Sequence, residues 1–332
     1  MAEKLDAILS GIETQGEITG SDIIDLRRNV FGDNHVSMAE ADWLFRLNDS
    51  KMDKAPGWSD FFVAAITNMM IRQTPPIGYV DEKSAQWLIQ RISQDGHVEG
   101  ETEFRTLFRV LNEAMDATET LVDFALAEVK AALVDGQGYM GRQRKFEARH
   151  ISLDDVKMIE KVLYASGGDG NVRVTEKEAE ILFDINETCE AEADAKDAWQ
   201  SLFINAVTNS VMFYSPFKTA GREEMLGNEN WAQSRGGLVS NMVAAPDISG
   251  AFSDLFGLTA RKERYEFDEK EKQNSARRDE AERIEAHEAE WLTKRLSRDG
   301  VLDENERALL RHLGKMSHDI HHSLIPFIEA AA

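Results

Sequence analysis

The chain has 332 residues, enough for about two domains and a sizeable core, and a content of 42% hydrophobic and 30% charged residues argues against wholesale disorder and against a collagen-like fibre. A formal net charge of −22 repels nucleic-acid phosphates and anionic lipid headgroups, so neither nucleic acid nor a membrane surface is expected as a partner. Only six prolines favour long helices, and a single cysteine, Cys189, can form no internal disulfide and cannot by itself hold a structural zinc, which predicts a cytoplasmic protein.

The N-terminal segment is acidic from Glu3 onward and has no long apolar run, so no signal peptide is expected. The first helix starts follow at Ile18-Thr19 with Asp22 and at Val36-Ser37 with Glu40. Each has an aliphatic residue, a capping oxygen and an acid three places on, the capping-box arrangement that satisfies orphan backbone donors. The same pattern returns at Ile151-Ser152 with Asp155, Val174-Thr175 with Glu178, and Leu302-Asp303 with Glu306. Trp58, Phe61, Phe62, Ala65, Ile66 and Met69 lie at the spacing of one helix face. Leu121, Phe124, Ala125 and Val129 do so with one acidic break, Glu128, and Trp199, Leu202, Phe203, Ala206 and Val207 do so again.

Gly136, Gly138 and Gly141 match a dinucleotide-binding fingerprint, but the segment before them is helical rather than a strand, so they predict a helix C-cap and linker. The uncharged run from Ala198 to Phe217 carries too many polar residues for a membrane span and predicts a buried helix. From Arg261 to Glu290 the chain is densely charged, with Glu266 and Lys270, Asp268 and Lys272, and Asp279 and Arg283 at i, i+4 on an expected solvated helix. Ile284, Trp291, Leu292 and Leu296 then turn one face of that helix apolar.

Self-similarity organises these elements. WLIQRISQDGHV from Trp87 matches WLTKRLSRDGVL from Trp291, and WSDFFVAAITNMM from Trp58 matches WQSLFINAVTNSVM from Trp199. The expectation is an all-α chain of two duplicated multi-helix bundle halves, residues 1–135 and 145–332. The second half carries an insertion at about 214–284. Extra material on a repeated scaffold tends to carry binding, and Ile248, Phe252, Leu255 and Phe256 in the insertion lie at helical spacing like an amphipathic anchor, which makes them the candidate partner-binding residues.

The turns SQDGHV, GGDGNV and SRDGVL resemble the end of an EF-hand calcium loop, with Asp95, Asp169 and Asp299 before the glycine and Glu306 at the last ligand position of the third. None carries the full ligand set, since Arg91, Ala165 and Arg295 occupy the first position. The DG-hydrophobic-polar-x-x-E punctuation is similar to that of the tellurite-resistance TerB-type helical domains. That resemblance covers most of each half apart from the insertion, and it implies a cytoplasmic all-helical bundle whose acidic clusters touch divalent metal. At the C-terminus His318 and His322 stand at i, i+4 with Asp319 between, a spacing that can present two imidazoles to one ion. No catalytic signature occurs, and no cofactor is expected beyond a possible divalent metal. The functional expectation is a non-enzymatic cytoplasmic scaffold whose insertion faces a protein partner, with a divalent-metal sensor as the alternative.

Overall fold

The computed structural model describes residues 2–30, 35–93, 96–144, 149–165, 173–212, 283–284, 286–298, 300–317 and 319–332. Over these residues the chain is all-α, its strands being only two residues long. After α1 (Ala2–Gln15), one order of elements recurs: a two-residue strand, two helices, a second two-residue strand and a third helix. It is first β1 (Glu17–Ile18), α2 (Gly20–Val30), α3 (Met38–Asp49), β2 (Asp53–Lys54) and α4 (Trp58–Asn68). Next come β3 (Tyr79–Val80), α5 (Glu82–Ile92), α6 (Glu101–Glu113), β4 (Asp116–Ala117) and α7 (Glu119–Lys130), followed by a short α8 (Gly138–Gln143). The third unit is β5 (His150–Ile151), α9 (Leu153–Tyr164), α10 (Glu176–Thr188), β6 (Glu190–Ala191) and α11 (Lys196–Met212). The fourth is β7 (Arg283–Ile284), α12 (Ala286–Leu296), α13 (Glu304–Met316), β8 (Asp319–Ile320) and α14 (Ile325–Ala331).

In every unit the two strands pair in parallel, with Ile18 opposite Lys54, Val80 opposite Ala117, Ile151 opposite Ala191 and Ile284 opposite Ile320. The aliphatic residue of each first strand is buried. The bridge thus closes the two-helix hairpin at its base and commits that residue to the core. These pairings are non-local and leave no run long enough to register as a strand in the sequence.

Helix starts follow the local chemistry. Ser37, Ser152, Thr175 and Asp303 each accept the backbone N–H three residues on, while Glu40, Asp155, Glu178 and Glu306 reach back to the cap backbone. Asp22 accepts from the Thr19 backbone at 2.8 Å in the same way. The turn from α3 to α4 is held by Trp58, whose indole donates to Asn48 Oδ1 at 3.0 Å. Trp199 on α11 donates likewise to Asn186 Oδ1 of α10 at 3.1 Å.

The aromatic core repeats in the same register. Phe45 meets Phe62 edge-on at 4.9 Å and Trp87 at 5.7 Å; Phe183 meets Phe203 at 5.0 Å and Trp291 at 6.0 Å. Such edge-to-face pairs contribute about 0.5–1.5 kcal/mol each beyond the area they bury. Core packing runs from unit to unit without a break: α4 lies on α6, α7 on α9 and α10, and α11 on α13.

Two expectations are revised. Gly138–Gln143 is a helix rather than a linker. Gly136 takes φ 67° to end the preceding π-helical turn, Ala131–Asp135, and the Gly141 α-carbon sits so close to the Gly136 backbone that no side chain fits there. The three glycines therefore serve a tight corner. Ile284 lies on a strand, so the apolar face of α12 begins after it. The buried helix expected from Ala198 spans Lys196–Met212 within the described residues. The expected anchor and the charged helix pairs before Arg283 lie outside them.

Candidate functional site: a cation-rimmed groove between three helices

α6 exposes a mixed face. Its sequence, ETEFRTLFRVLNE, sets Phe104 and Phe108 one turn apart and follows each with an arginine, Arg105 and Arg109. Helical spacing places the two rings in one row and the two guanidinium groups in the next, each pair about 6 Å apart along the axis. α9, LDDVKMIEKVLY, does the same with Lys157 and Lys161 beside Met158 and Val162. The packing of α6 against α4 and α9 brings these rows together around a groove of about 480 Å³.

Its apolar floor is built from Val63 of α4, Phe104, Phe108 and Leu111 of α6, and Met158 and Val162 of α9. Phe104 and Phe108 pack on each other at 4.5 Å, and Tyr139 of α8 flanks Phe104 at 5.6 Å, which holds the floor in place. Arg105 and Arg109 rise on one wall and Lys157 and Lys161 on the other, with Asp154 the one acid in the lining and Asn112 a neutral polar group.

The cations are held only loosely. Arg105 donates to Asp60 at 2.5 Å and to Ser59 at 2.8 Å, Arg109 to Glu113 at 2.5 Å, and Lys157 to Asp154 at 3.3 Å. The Arg105–Asp60 and Lys157–Asp154 pairs are exposed on both sides, the regime in which an ion pair is worth at most about 1 kcal/mol, whereas Glu113 beside Arg109 is half-buried. Lys161 is exposed and makes no ion pair among the described residues. Four cations and one acid in the lining of an apolar floor, three of the cations already paired with carboxylates, are suited to an amphipathic ligand that brings carboxylates of its own.

Of the site residues singled out from the sequence, only the side chains of Glu306 and His322 lie among the described residues. Glu306 is buried and its Oε2 accepts from the Asp303 backbone at 2.9 Å, while Asp303 also accepts from Asn186 at 2.6 Å; the pair is occupied in capping α13. His322 is exposed and stacks obliquely on His321 at 4.2 Å. The side chain of Asp319, together with His318, Asp95, Asp169, Asp299, Ile248, Phe252, Leu255 and Phe256, lies outside the described residues. Among the described residues, no three His, Cys, Asp or Glu side chains are grouped to hold a metal ion.

Two polar sites, one buried and one half-buried, escape sequence reasoning. Glu128, the acidic break in the α7 stripe, accepts from the Val98 backbone at 2.8 Å and meets His97 Nδ1 at 2.9 Å, pinning the α5–α6 loop. Glu103 accepts from Asn48 at 2.5 Å beside Asp49 and Lys54, and burial pushes both carboxyls up and the Lys54 amine down. Cys189 is buried, its thiol directed at the Leu133 carbonyl and pushed up to about 11 by that burial, so it is an inert packing residue.

No family model, curated protein or solved structure matches this chain.

Proposed function

We propose that the protein is a non-enzymatic, helical-repeat interaction scaffold that docks a protein partner. The observation that supports this reading is the groove between α4, α6 and α9, whose apolar floor lies between two walls of loosely paired cations on a strongly acidic chain. Its walls come from three successive units, so a ligand seated there would bridge the repeats, as extended repeat surfaces bind partners elsewhere. The other support is the run of about 70 residues between α11 and β7, which has no counterpart between the first two units and carries the amphipathic sequence around Phe252. The punctuation similar to TerB-type domains fits a cytoplasmic helical bundle in the same role.

The test compares the partners pulled down by the native chain with those of two variants, one lacking residues 218–260 and one with Lys157→Glu and Lys161→Glu. Partner sets identified by mass spectrometry should lose members in at least one variant. Identical sets from all three proteins would remove the scaffold reading.

A further inference from the structure

We infer that the groove between α6 and α9 receives an acidic amphipathic helix of a protein partner. This inference rests on the scaffold reading and names the chemistry of the partner. Three features of the groove select that occupant.

The first is charge. Arg105, Arg109, Lys157 and Lys161 form two facing rows, and each row holds two cations one helical turn apart. A fatty acid or another single-headed amphiphile brings one anionic group and would leave three of these cations unused. A helix with acids flanking an apolar stripe repeats at the same pitch and can address both rows at two successive turns. Because Arg105 is paired with Asp60 and Glu101 at the surface, an incoming carboxylate replaces bonds there that are worth little.

The second is the floor. Phe104, Phe108 and Leu111 run at i, i+4, i+7, and Met158 and Val162 run beside them at i, i+4. This is the pattern of an apolar trough that takes the i, i+3, i+4, i+7 stripe of a partner helix.

The third is backbone chemistry. The trough is formed by helix side chains, and Asn112 is the one uncharged polar side chain in its lining. An extended peptide would bring backbone N–H and C=O groups against apolar surface with no partners for them, and each group left unsatisfied is costly. A helix satisfies its own backbone.

The test uses defined probes and the full chain. A synthetic peptide of about five turns is made with Leu and Phe at i, i+3, i+4, i+7 and Glu on both flanks. A second peptide has Lys at the flanking positions, and sodium laurate serves as the single-headed amphiphile. Titration by fluorescence anisotropy should show the acidic peptide binding the native protein, with affinity falling as salt rises because the contacts are charge-assisted. Reversing Lys157 and Lys161 to Glu should weaken that peptide by about tenfold or more, while the Lys-flanked peptide, which still faces Arg105 and Arg109, should bind neither protein. Both lysines are exposed, so circular dichroism should show the fold of the variant unchanged.

Equal binding of the acidic peptide by native and reversed proteins, or no binding at millimolar concentration, would overturn the inference. Full displacement of the peptide by equimolar laurate would assign the groove to a small amphiphile and overturn it as well. If the pulled-down partners depend on Lys157 and Lys161 while the acidic peptide does not bind, the scaffold reading stands and the acidic-helix assignment fails. If the peptide binds while the partner sets are indifferent to both variants, the groove's preference for an acidic helix stands but the scaffold reading, and with it the docking of a partner there, fails.

Discussion

Glu178 shows how one buried side chain couples the fold to pH. Its Oε2 accepts from the Thr175 backbone at 2.7 Å, and its Oε1 has no hydrogen-bond donor among the described residues. Burial, with the carboxylates of Asp123 and Glu119 adding to it, pushes its pKa from the ordinary 4.5 up to about 7. The unfolded chain releases this proton near pH 4.5 and the folded chain near pH 7, so between the two values folding takes up a proton. The stabilising contribution is complete below about pH 4.5 and is lost as pH rises through 7. Glu178→Gln keeps a capping acceptor at this position and removes the buried charge. Urea unfolding should therefore find the variant gaining on the native protein by up to about 3 kcal/mol between pH 4 and pH 8. An offset that does not change with pH would contradict this assignment. Glu128 carries the complementary lesson. Its place in an apolar stripe is visible in the sequence as an anomaly, but the Val98 amide and the His97 ring that account for it come from a loop about 30 residues away.

At the scale of the element, local chemistry is legible and non-local pairing is not. The capping boxes at Ser37, Ser152, Thr175 and Asp303 are readable because every partner lies within three residues of the cap. Ser152→Ala should cost about 1 kcal/mol in chemical denaturation, with a larger loss pointing to the additional bond that Asp155 accepts from Arg144. The two-residue strands are not readable, since each exists only through a partner about 40 residues away in the chain. The corner at Gly136–Gly141 is readable in part: the glycine pattern signals special backbone geometry, but only packing shows that Gly141 lies against the Gly136 backbone. Gly141→Ala should lower stability by about 1–3 kcal/mol through overpacking, measured as a shift in urea midpoint at constant slope. A neutral outcome would mean that the corner relaxes without cost.

For the whole molecule the dominant fact is charge. At −22 the folded chain repels itself, and salt shortens the screening length from about 30 Å at 0.01 M to about 8 Å at 0.15 M. The thermal midpoint should accordingly rise with sodium chloride over that range, while peptide docking in the groove weakens over the same range. Opposite signs for the two effects would separate the global field from the charge contacts of the groove; a midpoint that falls with salt would show that the ion pairs at Arg295 and Arg91 outweigh self-repulsion. No described helix is long and apolar enough to cross a membrane.

The helical class, the positions of the capped helix starts and the aromatic faces of α4, α7 and α11 follow from the sequence alone, because each rests on spacings of three or four residues. The likeness of the segments around Trp58 and Trp199 is also written there, and the structure gives them the same indole-to-asparagine bond. Tertiary structure decided where the cations matter. The doublets Phe104-Arg105 and Phe108-Arg109 on α6, and Lys157-Met158 and Lys161-Val162 on α9, carry no motif that marks a site in the sequence. They become two walls of one groove only when chain segments about 50 residues apart pack side by side, a juxtaposition set by the shared core beneath them and by no local periodicity.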